Sequence, residues 1–193
     1  MTVKEYEEII SKRMKTPRFK HSKNVAKEAV RLAKKYGADT NKAEIAGILH
    51  DATKETDGQE QLELIEKAGI TLTEMERSSS KLWHAISGSA YVQTELDVTD
   101  WEIIDAIRYH TTGRAGMTLL DKIIFLADFI SADRDYDGVD RMRKLADKDL
   151  DEAVLEGMSY TMADLAQRKL TIAPDTFAGY NEMAALRAKL KNK

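Results

Sequence analysis

The chain has 193 residues, of which 42% are hydrophobic and 33% charged, with a net charge of −3. This balance predicts an ordinary globular domain and excludes a disordered or membrane-embedded chain. It also excludes a broad basic surface for nucleic acid, and the absence of cysteine excludes disulfides, thiolate catalysis and thiolate-ligated metals.

Apolar residues recur at helical spacing along the whole sequence, and alternating strand patterns are rare. The predicted helices are, in chain order, 3–15, 17–35, 42–51, 62–68, 81–95, 100–110, 119–130, 139–146, 150–169 and 177–190. Pro17 suits the first turn of the second helix, and Gly37 suits its left-handed end. We therefore predict one all-α domain over residues 1–193, with the C-terminal helices packed on the rest and with Trp83 and Trp101 in the core.

The N-terminal segment MTVKEYEEII is acidic where a signal peptide would have a basic start and an apolar stretch. Every apolar run is too short to span a bilayer. We expect a cytoplasmic protein that does not interact with membranes.

The chain has four histidines, and all of them fall in predicted helices. His21 shares a helix face with Val25, so that face should be buried. His84 shares a face with Ser87 and Gly88, small residues that allow close approach of a ligand or a helix.

The other histidines and two aspartates extend this pattern. His110 follows Ile107 on an inward-facing helix face, and His50 is directly followed by Asp51. Asp128 lies in the apolar segment LLDKIIFLADFI, where an unpaired buried carboxylate would be costly and a bound cation would remove that cost. The pattern alone favours a shared metal site and separate structural roles about equally.

Six residues stand in an order that resembles the H…HD…H…H…D arrangement of the HD-domain superfamily: His21, His50, Asp51, His84, His110 and Asp128. The segments AGILHDATKE, LWHAISGSAYV and AIRYHTTGRAGMTLLDKIIFLADFI are similar to the YqeK family. Its members are bacterial and hydrolyse diadenosine tetraphosphate (Ap4A) symmetrically to two ADP. The resemblance implies a single HD-type helical bundle, with a metal-site core at about 18–134, that acts as a metal-dependent phosphohydrolase.

Resemblance to the two-metal members implies a division of the ligands. One ion would be held by His21, His50, Asp51 and Asp128. Asp51 would bridge to a second ion, which His84 and His110 complete. Imidazoles and carboxylates together suit Fe, Mn, Co, Ni or Zn better than Mg or Ca, and the family points to iron. The nucleophile would be a metal-activated hydroxide.

Basic residues near these motifs are candidates for binding phosphate. Arg18 precedes His21 by one turn, Lys54 resembles the lysine of an HD-x-x-K pattern and is a catalytic candidate with Asp51, and Arg114 and Arg134 follow the last two motifs. A solvated surface charge is the default role of Lys and Arg, but proximity to the motifs favours phosphate binding, most of all for Lys54 and Arg134.

Uncharged candidates for substrate binding complete the predicted site. Thr111, Thr112 and Gly113 offer hydroxyl and backbone N–H groups to a phosphate. Tyr180 could stack on a base, although packing of the last helix is its commoner role.

The sequence leaves several alternatives open. One is a different HD phosphohydrolase acting on nucleotides or alarmones, and another is a non-catalytic protein that senses nucleotides. A metal-free helical interaction module would instead have its histidines scattered. The apolar C-terminal helices either complete the core or form the seam of a homodimer.

Overall fold

A computed structural model describes residues 1–191, with the side chains of residues 1–189, and this part of the chain is helical without any strand. The helices are α1 Val3–Arg13, α2 Thr16–Tyr36, α3 Thr40–Leu49, α4 Gly58–Lys67, α5 Glu74–Ser78, α6 Ser80–Thr94, α7 Trp101–Tyr109, α8 Leu119–Ile130, α9 Val139–Lys148, α10 Leu150–Gln167 and α11 Pro174–Lys191. The all-α prediction is confirmed. None of the helices in the described residues is both long and apolar enough to cross a membrane.

The ends of the helices follow from local sequence. Gly37 ends α2 at a φ of 80°, and its N–H donates to the carbonyl of Ala33. Asp39 starts α3 by accepting from two backbone N–H groups, and Thr118 forms a capping box with Asp121 at the start of α8. These caps satisfy donors and acceptors that a helix end would otherwise leave unpaired.

Two features of the fold differ from the sequence predictions. Helix α4 begins at Gly58, four residues before the predicted start, because Asp57 caps it. Helix α5 was not predicted, since it has only five residues and depends on a capping box between Thr73 and Glu76.

The two tryptophans also depart from prediction. The prediction that Trp101 belongs to the core is wrong, because its side chain is 66% exposed at the first position of α7. Trp83 is half-buried, and its indole N–H donates to the carbonyl of Glu76 at 2.7 Å.

The core lies where α2, α3, α7 and α8 pack together. Its fully buried side chains are mainly aliphatic and include Leu32, Ile48, Ile107, Ile124 and Leu126. On the far side of α8, α10 packs on α8 and α9, and α11 packs on α10. The four helices of this core carry or directly precede His21, His50, His110 and Asp128, so the packing of the core positions these residues.

The contact between α2 and α3 depends on Gly47. A Cβ atom at this position would lie 2.6 Å from the Cα atom of Ala26, which is too close for any side chain. Since α2 carries His21 and α3 ends at His50, this contact fixes the separation of the two histidines.

We predict that Gly47→Ala lowers the free energy of unfolding by about 2–3 kcal/mol, because the two backbones must move apart. Alanine is favoured over glycine by about 1 kcal/mol inside a helix. A lower free energy of unfolding in this variant would therefore come from the steric conflict and not from helix propensity. Chemical denaturation measures the change. Gly58→Ala is the control, because its Cβ would make an ordinary 3.4 Å contact with Trp83. Equal stability of the two variants would contradict the prediction.

Candidate metal centre

Five helices deliver the six predicted ligands to one place. His21 lies in α2, His84 in α6 and Asp128 in the last turn of α8. His50 follows α3 and leads into Asp51, and His110 follows α7. All four histidines and Asp51 are at least 95% buried.

Asp51 lies at the centre of the cluster. Its Oδ2 atom is 3.4 Å from His50 Nε2 and 3.9 Å from His21 Nε2. Its Oδ1 atom is 3.5 Å from His84 Nε2 and 3.7 Å from His110 Nε2. Each oxygen of one carboxylate therefore faces its own pair of imidazoles.

Asp128 lies nearest to the pair formed by His21 and His50. Its Oδ1 atom is 3.0 Å from His21 Nε2 and 3.8 Å from His50 Nε2. Three groups have ligand atoms within 4.8 Å of one another: His21, His50 and Asp51; Asp51, His84 and His110; and His50, His110 and Asp128. Each of these groups could hold a metal ion.

The hydrogen bonds of the histidines orient all four rings in the same way. The Nδ1 atoms of His50, His84 and His110 lie 2.7–2.8 Å from the carbonyls of Gly47, Lys81 and Ile107. A carbonyl only accepts, so Nδ1 carries the proton and Nε2 presents a lone pair to the interior. The Nε2 atoms of His21 and His50 have no hydrogen-bond partner among the described residues.

These lone pairs fit a bound cation. The Nε2 atoms of His84 and His110 are only 3.3 Å apart, where two lone pairs would repel each other. Buried polar atoms without a partner are rare in proteins, and a transition metal is a natural partner for several neutral imidazoles. The donor set thus fits metal ions better than it fits a purely structural cluster.

Burial and neighbouring charges shift the pKa values of the cluster residues in different directions. Burial is the main reason that the pKa of His84 falls to about 3 and that of His110 to about 4. Burial alone would raise the pKa of Asp51, but His50, His110 and His84 hold it well below its usual value. Burial lowers the pKa of His50, but Asp51, Asp128 and the carbonyl of Gly47 together raise it above its usual value. Positive charge is therefore favoured at this point, and a bound cation would supply it in place of a second ring proton.

Three cationic side chains surround the cluster. Arg18 donates to Asp51 Oδ2 at 2.9 Å, and Arg134 donates to the carbonyl of Asp128 at 2.7 Å and pairs with its carboxylate. Lys54 Nζ lies 3.1 Å from His84 Nε2, and burial lowers its pKa. The side chains of Arg18 and Arg134 remain about one third exposed, so these two cations lie between the buried cluster and solvent.

The HD-domain family model matches residues 18–133 of the chain. The chain belongs to the HD-domain family. It is 43% identical over 164 residues to the symmetrical bis(5'-nucleosyl)-tetraphosphatase of Bacillus subtilis, covering 85% of this chain and 88% of that protein. It is 32% identical to the protein of the same name from Staphylococcus aureus, covering 89% of each.

A solved structure has the same fold as this HD-domain chain. It is a Clostridium acetobutylicum protein described as a predicted HD superfamily hydrolase involved in NAD metabolism. The TM-score is 0.92 at 33% identity, over 96% of this chain and 98% of the other. The likeness extends beyond the HD-domain match and includes the C-terminal helices.

The loop that follows His110 holds four further residues that were predicted to bind substrate, at 111–114. Thr111 Oγ1 lies 3.0 Å from His110 Nε2, whereas Thr112 is buried and its hydroxyl has no partner among the described residues. Gly113 has a φ of 62°. Arg114 forms ion pairs with Asp121 and Asp105, so its guanidinium stabilises this loop.

Tyr180 lies elsewhere in the fold. It is half-buried against the core and lines a cleft with Glu156 and Ser159 of α10. These contacts match the packing role that competed with base stacking in the sequence prediction.

Sequence reasoning missed the carboxylate behind His21. Asp133 Oδ2 lies 2.7 Å from His21 Nδ1, and its Oδ1 accepts from the side-chain amide of Asn24 at 2.9 Å. Asp133 thereby does for His21 what a backbone carbonyl does for the other three rings. The available signal was Asn24, which lies one helical turn from His21 and faces the same way.

We predict that Asp133→Ala weakens metal binding by about 10–100-fold, the usual effect of removing a group that orients a ligand. Competition with a chelator measures the affinity, and circular dichroism checks the fold. Asp137→Ala removes an exposed carboxylate nearby and should leave the affinity unchanged. Equal affinities for the two variants would show that Asp133 does not orient His21.

Proposed function

We propose that this chain hydrolyses Ap4A symmetrically to two ADP at a two-metal centre bridged by Asp51. The observation that carries the proposal is the position of Asp51, whose two oxygens each face a separate pair of inward-pointing imidazoles. The names of the Bacillus subtilis and Staphylococcus aureus relatives support the choice of substrate.

The two ions would share the six ligands unequally. The first would be held by His21, His50, Asp51 and Asp128, and the second by Asp51, His84 and His110. This donor set suits Fe, Mn, Co, Ni or Zn, and resemblance to the family makes iron our choice. When bound, such a pair of ions activates water at neutral pH and neutralises charge on phosphoryl oxygens.

Protein cations on both sides of the cluster would orient the substrate. Arg18 and Arg134 lie at the end formed by Asp51 Oδ2 and Asp128, and Lys54 lies at the opposite end beside His84. Guanidinium groups bind phosphate oxygens through two N–H groups, and lysine acts as a point charge. We expect a tetraphosphate held at both ends by these cations to have its central anhydride bond near Asp51, which would give cleavage into equal halves.

Symmetrical cleavage makes a direct prediction about products. Metal-loaded protein incubated with Ap4A should release ADP as the only nucleotide, as measured by chromatography with mass detection. Release of AMP with ATP would contradict the proposed position of the central bond. Tight nucleotide binding without turnover under anaerobic, metal-replete conditions would favour a nucleotide sensor instead.

We predict that Asp51→Ala loses most of the bound metal and lowers turnover of Ap4A by about a thousandfold or more, because both ions lose a ligand that supports several kcal/mol of transition-state stabilisation. Metal analysis and initial rates give the two readouts, and the melting profile should show that the variant folds. Asp135→Ala, at an exposed position, is the matched control. Full turnover by Asp51→Ala would refute the bridging role.

A further inference from the structure

A cleft of about 400 Å³ adjoins the cluster on the side of His84 and His110. This volume is typical of sites for small molecules. The cleft lies between the start of α6, the loop after His110, the end of α10 and the segment that leads into α11. Its floor and walls carry hydroxyl groups from all four parts, including Ser79, Thr112, Thr161, Thr171 and Thr176.

Thr111 connects this cleft to the cluster. Its Oγ1 atom lies 3.0 Å from His110 Nε2 and 3.2 Å from His84 Nε2, and the same residue lines the cleft. A molecule held at the cluster by a phosphate can therefore extend directly into the cleft.

Two features of the cleft indicate that a polar ligand binds there. Thr112 is only 7% exposed, and its hydroxyl has no hydrogen-bond partner among the described residues, which is unfavourable unless a ligand or water supplies one. The first turn of α6 also lines the cleft, and Ser79 gives this helix no side-chain cap. A ligand that carries hydrogen-bond acceptors could accept from the Thr112 hydroxyl and from the backbone N–H groups in the first turn of α6.

The charge of the lining indicates which part of a nucleotide fits. Among the described residues, the lining contains no acidic residue and one basic residue, Lys81, whereas Arg18 and Arg134 lie at the cluster itself. Apolar surface comes from leucines, of which Leu170 is 42% exposed. An uncharged group with flat apolar faces and hydrogen-bonding edges matches this lining better than a polyphosphate, which needs more positive charge than Lys81 supplies.

We infer that this cleft binds the nucleoside of one half of the substrate, with its phosphates at the cluster. The inference rests on the proposed function for the identity of that substrate. Six of the thirteen lining residues lie beyond residue 133, where the HD-domain match ends. The C-terminal helices thus determine base recognition, while the HD core holds the phosphates.

The test compares ADP with pyrophosphate, which contains the same two phosphates but no nucleoside. Leu165→Trp would fill the cleft from α10. We expect calorimetry on the metal-loaded protein to show ADP binding at least tenfold weaker in this variant, with pyrophosphate binding unchanged. Leu186→Trp is the matched control, because Leu186 is exposed on α11 and lines a different cleft. Unchanged ADP affinity in Leu165→Trp would overturn the inference.

An isosteric change keeps the test independent of any disturbance caused by the larger side chain. Thr112→Val should weaken ADP binding by about fivefold, the effect of losing one ordinary hydrogen bond, without changing pyrophosphate binding or metal content. Thr94→Val, a half-buried position on α6, serves as its control. Equal weakening of ADP and pyrophosphate would also overturn the inference. Both measurements are made without turnover, so they stay decisive even if Ap4A is not the substrate.

Discussion

The burial of Asp51 among four imidazoles is the constraint on which the rest of the site depends. A carboxylate removed from water is strongly destabilised unless positive charge or hydrogen bonds replace its hydration. Here Arg18 supplies one hydrogen bond, and the histidine rings direct their Nε2 atoms at the carboxylate. Because those Nε2 atoms carry lone pairs, the arrangement is most favourable with cations between the rings and Asp51.

The fold provides this arrangement through the ends of its helices. His50 and His110 lie just after α3 and α7, where each ring can turn back to the carbonyl three residues before it. The close contact of Gly47 with Ala26 then brings α2, and with it His21, against the end of α3. The same packing that stabilises the core therefore sets the distances within the site.

Part of this could be predicted from sequence. Apolar spacing indicated that His21 and His110 face inward, and resemblance to the HD-domain pattern grouped them with the other four motif residues. Asp133 was not predicted, because its contact with His21 joins residues 112 positions apart and the local signal, Asn24, does not indicate which carboxylate it binds. Arg114 was expected at the phosphate site, but its pairing with Asp121 and Asp105 depends on how the loop turns. The exposure of Trp101 depends on which face of α7 the neighbouring helices cover, and a large apolar side chain does not specify that.

The central claim of the proposed function is that two ions lie on either side of Asp51. Anomalous diffraction at the metal edge, from crystals of the metal-loaded protein, tests this claim most directly. The account predicts two peaks about 3.5–4 Å apart, one next to His21, His50 and Asp128 and the other next to His84 and His110. A single peak, or two peaks that do not share Asp51, would contradict it.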